Sequence, residues 1–208
     1  NTALVLSSFV AIILLGIILV VFFQSFESFS RYGLKFLVTS EWNPVKDEYG
    51  AFTAIYGTLV TSFLSLLITI PLGVGTAIFI TEDFVPKVAR EIIGSFVELL
   101  AAIPSVVLGL WAIFVMEPFF RAFFVFLHNF FGWIPLFSTE PTGRNSLLAI
   151  LILVVMLLPI VTSIARDSLN QVPKKLRNAA YGIGASRWKT IFSVILPAAL
   201  SGIMAGVL

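Results

Sequence analysis

Four stretches of the chain carry no Asp, Glu, Lys or Arg: residues 1–26, 49–81, 145–165 and 190–208. A fifth, 92–116, carries only Glu98. A helix needs about 20 apolar residues to cross the hydrocarbon core of a bilayer. A chain in lipid must also satisfy every backbone N–H and C=O internally. The runs therefore predict an all-α, polytopic transmembrane helical bundle, with spans near 3–25, 53–80, 92–115, 146–165 and 191–208. The first run lacks a basic leader and an A-x-A-like cleavage site, so it reads as a span and not as a signal peptide. Composition agrees: 59% of residues are hydrophobic, 12% are charged, and the mean hydropathy is +1.04. Soluble domains carry about twice that charge. The chain has no cysteine, which excludes a disulfide framework, a thiol nucleophile and a Cys-based metal site. A net charge of +2 is too small to indicate a nucleic-acid partner.

Residues 122–139, "AFFVFLHNFFGWIPLFST", are uncharged but mix Phe and Trp with His128, Asn129, Gly132 and Pro135. That mixture suits an interfacial or re-entrant segment better than a span. With five spans, loops 82–91 and 166–189 share one side with eight Lys/Arg, and loops 27–48 and 117–144 share the other with five. Counting 122–139 as a sixth span changes the split to ten against three, which fits the positive-inside rule better. The aromatic and Pro/Gly content favours five. Either count places loop 166–189, with six Lys/Arg, in the cytoplasm. The chain does not start with Met and stops inside an apolar run. Residues 1–208 are therefore expected to be one transmembrane domain cut from a longer protein at both ends.

Three features inside the spans go beyond apolarity. Thr58, Thr61, Ser62, Ser65 and Thr69 lie at offsets 0, 3, 4, 7 and 11, one face of a helix. Such a stripe either packs helices through small residues or lines a wet path for a polar solute. Spans two to five each contain a proline: Pro71, Pro104, Pro159 and Pro197. Proline removes a backbone hydrogen bond and kinks its helix, and transporters place helix breaks near the solute route. Pro104 and the adjacent Ser105 join the candidate path set on that ground. Glu98 is the third feature. A carboxylate within a span costs a few kcal/mol and faces an interior partner or a cavity, unless it sits close to the headgroups.

No catalytic constellation is visible and no metal ligand set is expected. His128 is the only histidine and lies among aromatics, as an interfacial residue does. There is no G-x-x-x-x-G-K-[ST] phosphate loop. The chain is not expected to be an enzyme, so energy must come from a partner or an ion gradient. In "RDSLNQVPKKLRNAAYGIGASRWKT", Pro173 breaks the preceding helix and a short helix is expected up to about Tyr181. Gly182 and Gly184 allow a turn, and Ser186 is positioned to cap a second helix. Tyr181, Ile183 and Trp188 give this cytoplasmic loop the apolar content of a docking knob or of a bilayer-surface segment.

That loop resembles the EAA loop of ABC importer permeases, whose pattern is E-A-A, three residues, G, nine residues, I-x-L-P. This chain has Asn178-Ala179-Ala180, then Gly184, then Val194-Ile195-Leu196-Pro197, with matching spacing throughout. Asn178 replaces the acid and Val194 replaces Ile. "EWNPVKDEYGAFTAIYGTLVTS", "PLGVGTAIFITE", "VELLAAIPSVVLGLWAIFV" and "MLLPIVTSIARDSLNQVP" resemble the phosphate-specific (PstC-type) permease subunits from about residue 38 onward.

The resemblance implies a type I ABC importer permease with an EAA coupling loop over 166–190. Asn178, Ala179, Ala180, Tyr181, Gly184 and Trp188 are the coupling residues it implies. It also implies a multi-pass subunit in the bacterial cytoplasmic (inner) membrane. The partners would be a homologous permease, two ATPase subunits and an extracytoplasmic phosphate-binding protein. ATP and magnesium would bind the ATPase subunits, with no cofactor on this chain. A G-R-A-x-G-E-T segment, typical of the family, would follow residue 208 and could supply a cation for Glu98. Thr58, Thr61, Ser62, Ser65, Glu98, Pro104 and Ser105 would then belong to the translocation path. Rival readings are the sister phosphate permease, a permease for sulfate or molybdate, and, from another class, an ion-coupled transporter or channel. The EAA spacing speaks against the last two.

Overall fold

The computed structural model describes residues 2–82, 84–138, 140 and 145–207. Thr139 and Leu208, the last residues of the aromatic segment and of the fifth expected span, lie outside the described residues. The chain divides into two compact units, residues 1–59 and 60–208.

The first unit holds helix α1 (Thr2–Tyr32), a short helix α2 (Lys35–Val38) and a two-stranded antiparallel hairpin, β1 (Trp42–Asn43) and β2 (Glu48–Tyr49). Trp42 faces Tyr49 and Asn43 faces Glu48 across the hairpin. Its turn closes on the Asn43 side chain, whose Oδ1 accepts from the Val45 and Lys46 amides. Asp47 adopts a positive φ of 58°. Its carboxylate pairs with Arg31 and accepts from the Tyr32 hydroxyl at 3.1 Å, fixing the hairpin against the end of α1. Tyr32, Phe36, Trp42 and Tyr49 line a 380 Å³ cleft there. Along α1, none of the most apolar window is buried by the rest of the chain.

Helix α3 (Phe52–Thr81) begins in the first unit and continues into the second. It is followed by α4 (Lys87–Ala101), α5 (Ser105–Trp111), a π-helical turn (Ala112–Met116), α6 (Glu117–Phe131) and a 3-10 turn (Pro135–Phe137). Then come α7 (Ser146–Gln171), α8 (Lys174–Gly182), α9 (Arg187–Thr190), a second π turn (Ile191–Ile195) and α10 (Leu196–Val207). The start of α7 is fixed by Asn145, whose side chain accepts from the Leu148 amide at 2.8 Å.

Five helical stretches among the described residues are long and apolar enough to cross a membrane: Leu6–Tyr32, Phe52–Thr81, Ser105–Phe131, Ser146–Gln171 and Arg187–Val207. The third differs from the expected span at 92–115. Pro104 takes an extended ψ of 137° and starts a new helix, so α4 ends at Ala101. Proline lacks the N–H that would continue the α4 ladder, and its ring clashes with the carbonyl four residues back. The apolar helix then runs through the aromatic segment as far as Phe131. Charge had argued for ending that span at Glu117. In the fold, Glu117 is buried and pairs along its own helix with Arg121, Nε to Oε1 2.9 Å. A pair at i,i+4 removes much of the cost of carrying either charge in an apolar helix.

The prolines divide by geometry. Pro71 and Pro159 sit within α3 and α7, whereas Pro104 lies at a break and not inside a helix. Each π turn ends one residue before the residue preceding a proline, Pro118 or Pro197. The amides of Glu117 and Leu196 reach back five residues, to the carbonyls of Ala112 and Ile191. The proline ring pushes on the carbonyl four residues behind it, and a widened turn relieves that clash.

Two apolar clusters hold the second unit. Leu108, Ala112, Met116 and Phe124 pack with Leu148 and Ile152 of α7. Ala77 and Ile78 of α3 pack with Ala165 and Leu169 of α7, with Ile191 and Ile195 of the second π turn, and with Ala199 and Ile203 of α10. In lipid no hydrophobic force drives such contacts. They rest on close van der Waals packing, which explains the small residues at their centre.

Candidate functional site

The 166–190 segment folds as two short helices meeting at a glycine. Pro173 starts α8 with an extended ψ of 132°. Helix α8 ends in a Schellman motif: the Gly184 amide donates to Tyr181 O and the Ala185 amide to Ala180 O, both at 3.0 Å. Gly184 sits in the left-handed region at φ +83°. Ser186 then caps α9, its side chain accepting from the Lys189 amide. Both the glycine turn and the serine cap match the sequence expectation.

Most residues of the expected coupling set lie at the surface. Asn178, Ala179, Tyr181, Gly184 and Trp188 are exposed, and Ile183, at 87%, is almost fully so. Ala180 is the exception: it is buried, so it is a packing residue and offers no docking surface. It lies three residues from Arg177, on the face of α8 turned toward the protein. Trp188 is held between two rings, Phe84 at 4.8 Å and Phe192 at 5.7 Å between centroids, which fixes its indole while leaving it 59% exposed.

The hydroxyl stripe of α3 is not uniform. Thr58 and Ser62 are exposed and Thr61 is half-buried. Ser65 and Thr69 have no exposed surface. The Ser65 hydroxyl donates to Ser62 O at 2.9 Å. Below them the same face continues as Gly73 and Ala77, both buried. A Cβ on Gly73 would lie 2.7 Å from Val161 Cγ1 of α7. In this conformation Ser65 is enclosed by protein, and further along the same face Gly73 lets α3 and α7 approach.

Glu98 also lies elsewhere than expected. It is on α4, a helix of 15 residues, and its exposed carboxylate is 3.6 Å from Arg166 Nη1 of α7. The cation expected beyond residue 208 is thus matched within the chain by Arg166. Pro104 and Ser105 are exposed at the α4–α5 break.

The charged pairs of the fold escaped the sequence reading, two of them for different reasons. Glu117 and Arg121 were legible as an i,i+4 pair. Glu82 and Arg177 were not, because 95 residues separate them. Their contact puts loops 82–91 and 166–190 on the same side of the bundle, as the five-span count requires.

The sequence profile of the family described as "Binding-protein-dependent transport system inner membrane component" matches residues 69–208. The chain belongs to that family. This inner membrane component is similar to a protein of Mesorhizobium japonicum named "Phosphate transport system permease protein PstC", with 40% identity over 96% of this chain and 62% of the relative. Proteins of the same name from Pasteurella multocida and Haemophilus influenzae are 38% and 36% identical, over 96% and 100% of this chain and 64% and 67% of theirs. The chain thus spans about two thirds of the length of these relatives. Among solved structures, a chain of the MetNI methionine ABC transporter in inward facing conformations superposes with a TM-score of 0.55. At 22% identity it covers 76% of this chain and 64% of its own, and the likeness is one of fold. The inner membrane component is therefore an all-α bundle of the type I ABC importer permease kind, with several membrane-crossing helices.

Proposed function

We propose that the chain is the permease subunit of an ATP-driven importer of inorganic phosphate. The observation that carries the reading is the 166–190 loop: α8 ends on a left-handed glycine and presents Asn178, Tyr181 and Ile183 outward, in the spacing of an EAA loop. A rigid knob with exposed aromatic and aliphatic side chains suits insertion into a cleft on an ATPase subunit. The names of these relatives supply the solute. A homologous permease, two ATPase subunits binding ATP and magnesium, and an extracytoplasmic phosphate-binding protein complete the assembly. The chain itself carries no chemical step and acts by moving helices. ATP-dependent uptake of radiolabelled phosphate into vesicles holding the whole complex tests this, with sulfate as competitor. Absence of ATP-dependent phosphate uptake, or uptake that sulfate blocks as well as unlabelled phosphate does, would overturn the phosphate reading.

In this orientation Ser138 lies outside and the 82–91 and 166–190 loops lie in the cytoplasm. A cysteine in place of Ser138 is expected to react with an impermeant thiol reagent added to intact cells. One in place of Arg121, ten residues before the end of the Ser105–Phe131 helix, is expected to be shielded. Residues 1–208 contain no cysteine and so add no background to the assay. Equal labelling at both positions would mean that α6 lies along the membrane surface, as its aromatic composition by itself suggests.

A further inference from the structure

We propose that the Glu82–Arg177 pair is the positioning contact through which movement of α8 is carried directly into α3; this rests on the coupling role given above to α8. Arg177 points from α8 into the protein, with 19% of its side chain exposed. Its Nη1 meets the Glu82 carboxylate, itself 9% exposed, just past the end of α3. Its Nη2 donates to Leu169 O of α7 at 3.0 Å. One guanidinium thus ties together the docking helix, the last turn of α7 and the end of the helix that carries Thr58, Thr61 and Ser62. Lys174 and Lys175, on the same helix, are exposed.

Burial makes the contact obligatory in both directions. A guanidinium fork binding a carboxylate and a carbonyl is geometrically specific. Removing one partner leaves the other charge desolvated and uncompensated. Glu82 also anchors the helix end, since its amide donates to Ile78 O at 2.8 Å and its carbonyl accepts from the Phe84 amide at 2.8 Å. A displacement of α8 therefore pulls on the α3 terminus without passing through α9 and α10.

The test uses the full-length permease in its complete complex, reconstituted with the binding protein. Glu82→Arg, Arg177→Glu and the double exchange are compared for phosphate imported per ATP hydrolysed. That ratio is unaffected by how much complex assembles. Each single reversal is expected to lower the ratio at least fivefold, and the exchange to restore it to within twofold. The neutral Glu82→Gln and Arg177→Gln keep the comparison available if the reversals insert poorly, and are expected to lower the ratio as well. An unchanged ratio in the single variants, or an exchange that does not recover, overturns the proposal.

A second readout needs no solute. Thiol reactivity of Ser62→Cys is followed with and without ATP. The ATP-driven change is expected in the unaltered complex, lost in both reversals and regained in the exchange. A change of equal size in all four, or none in the unaltered complex, also overturns the proposal. A complex that shows the change yet imports no phosphate overturns the function reading and leaves this one standing.

Discussion

Replacing Gly184 with glutamine is expected to abolish phosphate uptake while the permease still inserts. Gly184 holds φ +83° and closes the Schellman motif of α8. A residue with a Cβ pays about 1–2 kcal/mol to sit in that region, which shifts the balance between ordered and unwound turn about 5–30-fold. The two hydrogen bonds donated by the Gly184 and Ala185 amides to the Tyr181 and Ala180 carbonyls depend on the same turn. A Cβ at this position would meet nothing within 4 Å in the chain, so the strain is in the backbone and not in space. The expected order of uptake is therefore Gly above Asn above Ala above Gln. Asparagine tolerates left-handed geometry better than other residues, and glutamine adds bulk on the surface proposed to dock. Measured uptake that follows side-chain volume alone, with Ala above Asn, would show that the partner's close approach and not φ requires the glycine.

The exposed part of the α3 stripe is expected to slow transport when its hydroxyls are removed. The triple change Thr58→Val, Thr61→Val, Ser62→Ala keeps the helix volume while deleting three hydroxyls. A hydrogen bond to a charged group is worth roughly 1.5–3 kcal/mol, and an exposed hydroxyl such as that of Thr58 can trade its bond to Ala54 O for one to a passing anion. Uptake is expected to fall at least tenfold, with ATPase stimulation by the loaded binding protein retained. Ser65→Ala serves as the contrast. Its hydroxyl is buried and bonded within its own helix, so uptake should stay within twofold of the unaltered complex. Normal uptake in the triple variant, with membrane levels and subunit co-purification unchanged, would make the whole stripe a packing face.

Residue type and spacing made the local devices legible. Gly184, Ser186 and Pro173 are chain punctuation whose geometry is set within a few residues, so the shape of the 166–190 segment was readable before any fold was known. The hydroxyl stripe was readable as a face but not as two halves. Helical periodicity tells which side chains share a side and says nothing of what lies opposite. Only burial in the folded chain separates Ser65 and Thr69 from Thr58 and Ser62. The third expected span, 92–115, differs from the Ser105–Phe131 helix because its bounds followed the charge-poor run, which neither stops at Pro104 nor passes Glu117. An apolar helix can carry that charge when Arg121 stands one turn later.

The sequence by itself determined that the chain is a bundle of membrane helices, because uncharged runs of this length have no other way to satisfy their backbone in lipid. It also determined the turn chemistry of the docking loop. Tertiary structure decided which charges are partners. Glu98 with Arg166, and Glu82 with Arg177, are joined across long stretches of chain. A Coulomb contact depends on distance in space, and no periodicity along the chain records where two helix ends will meet.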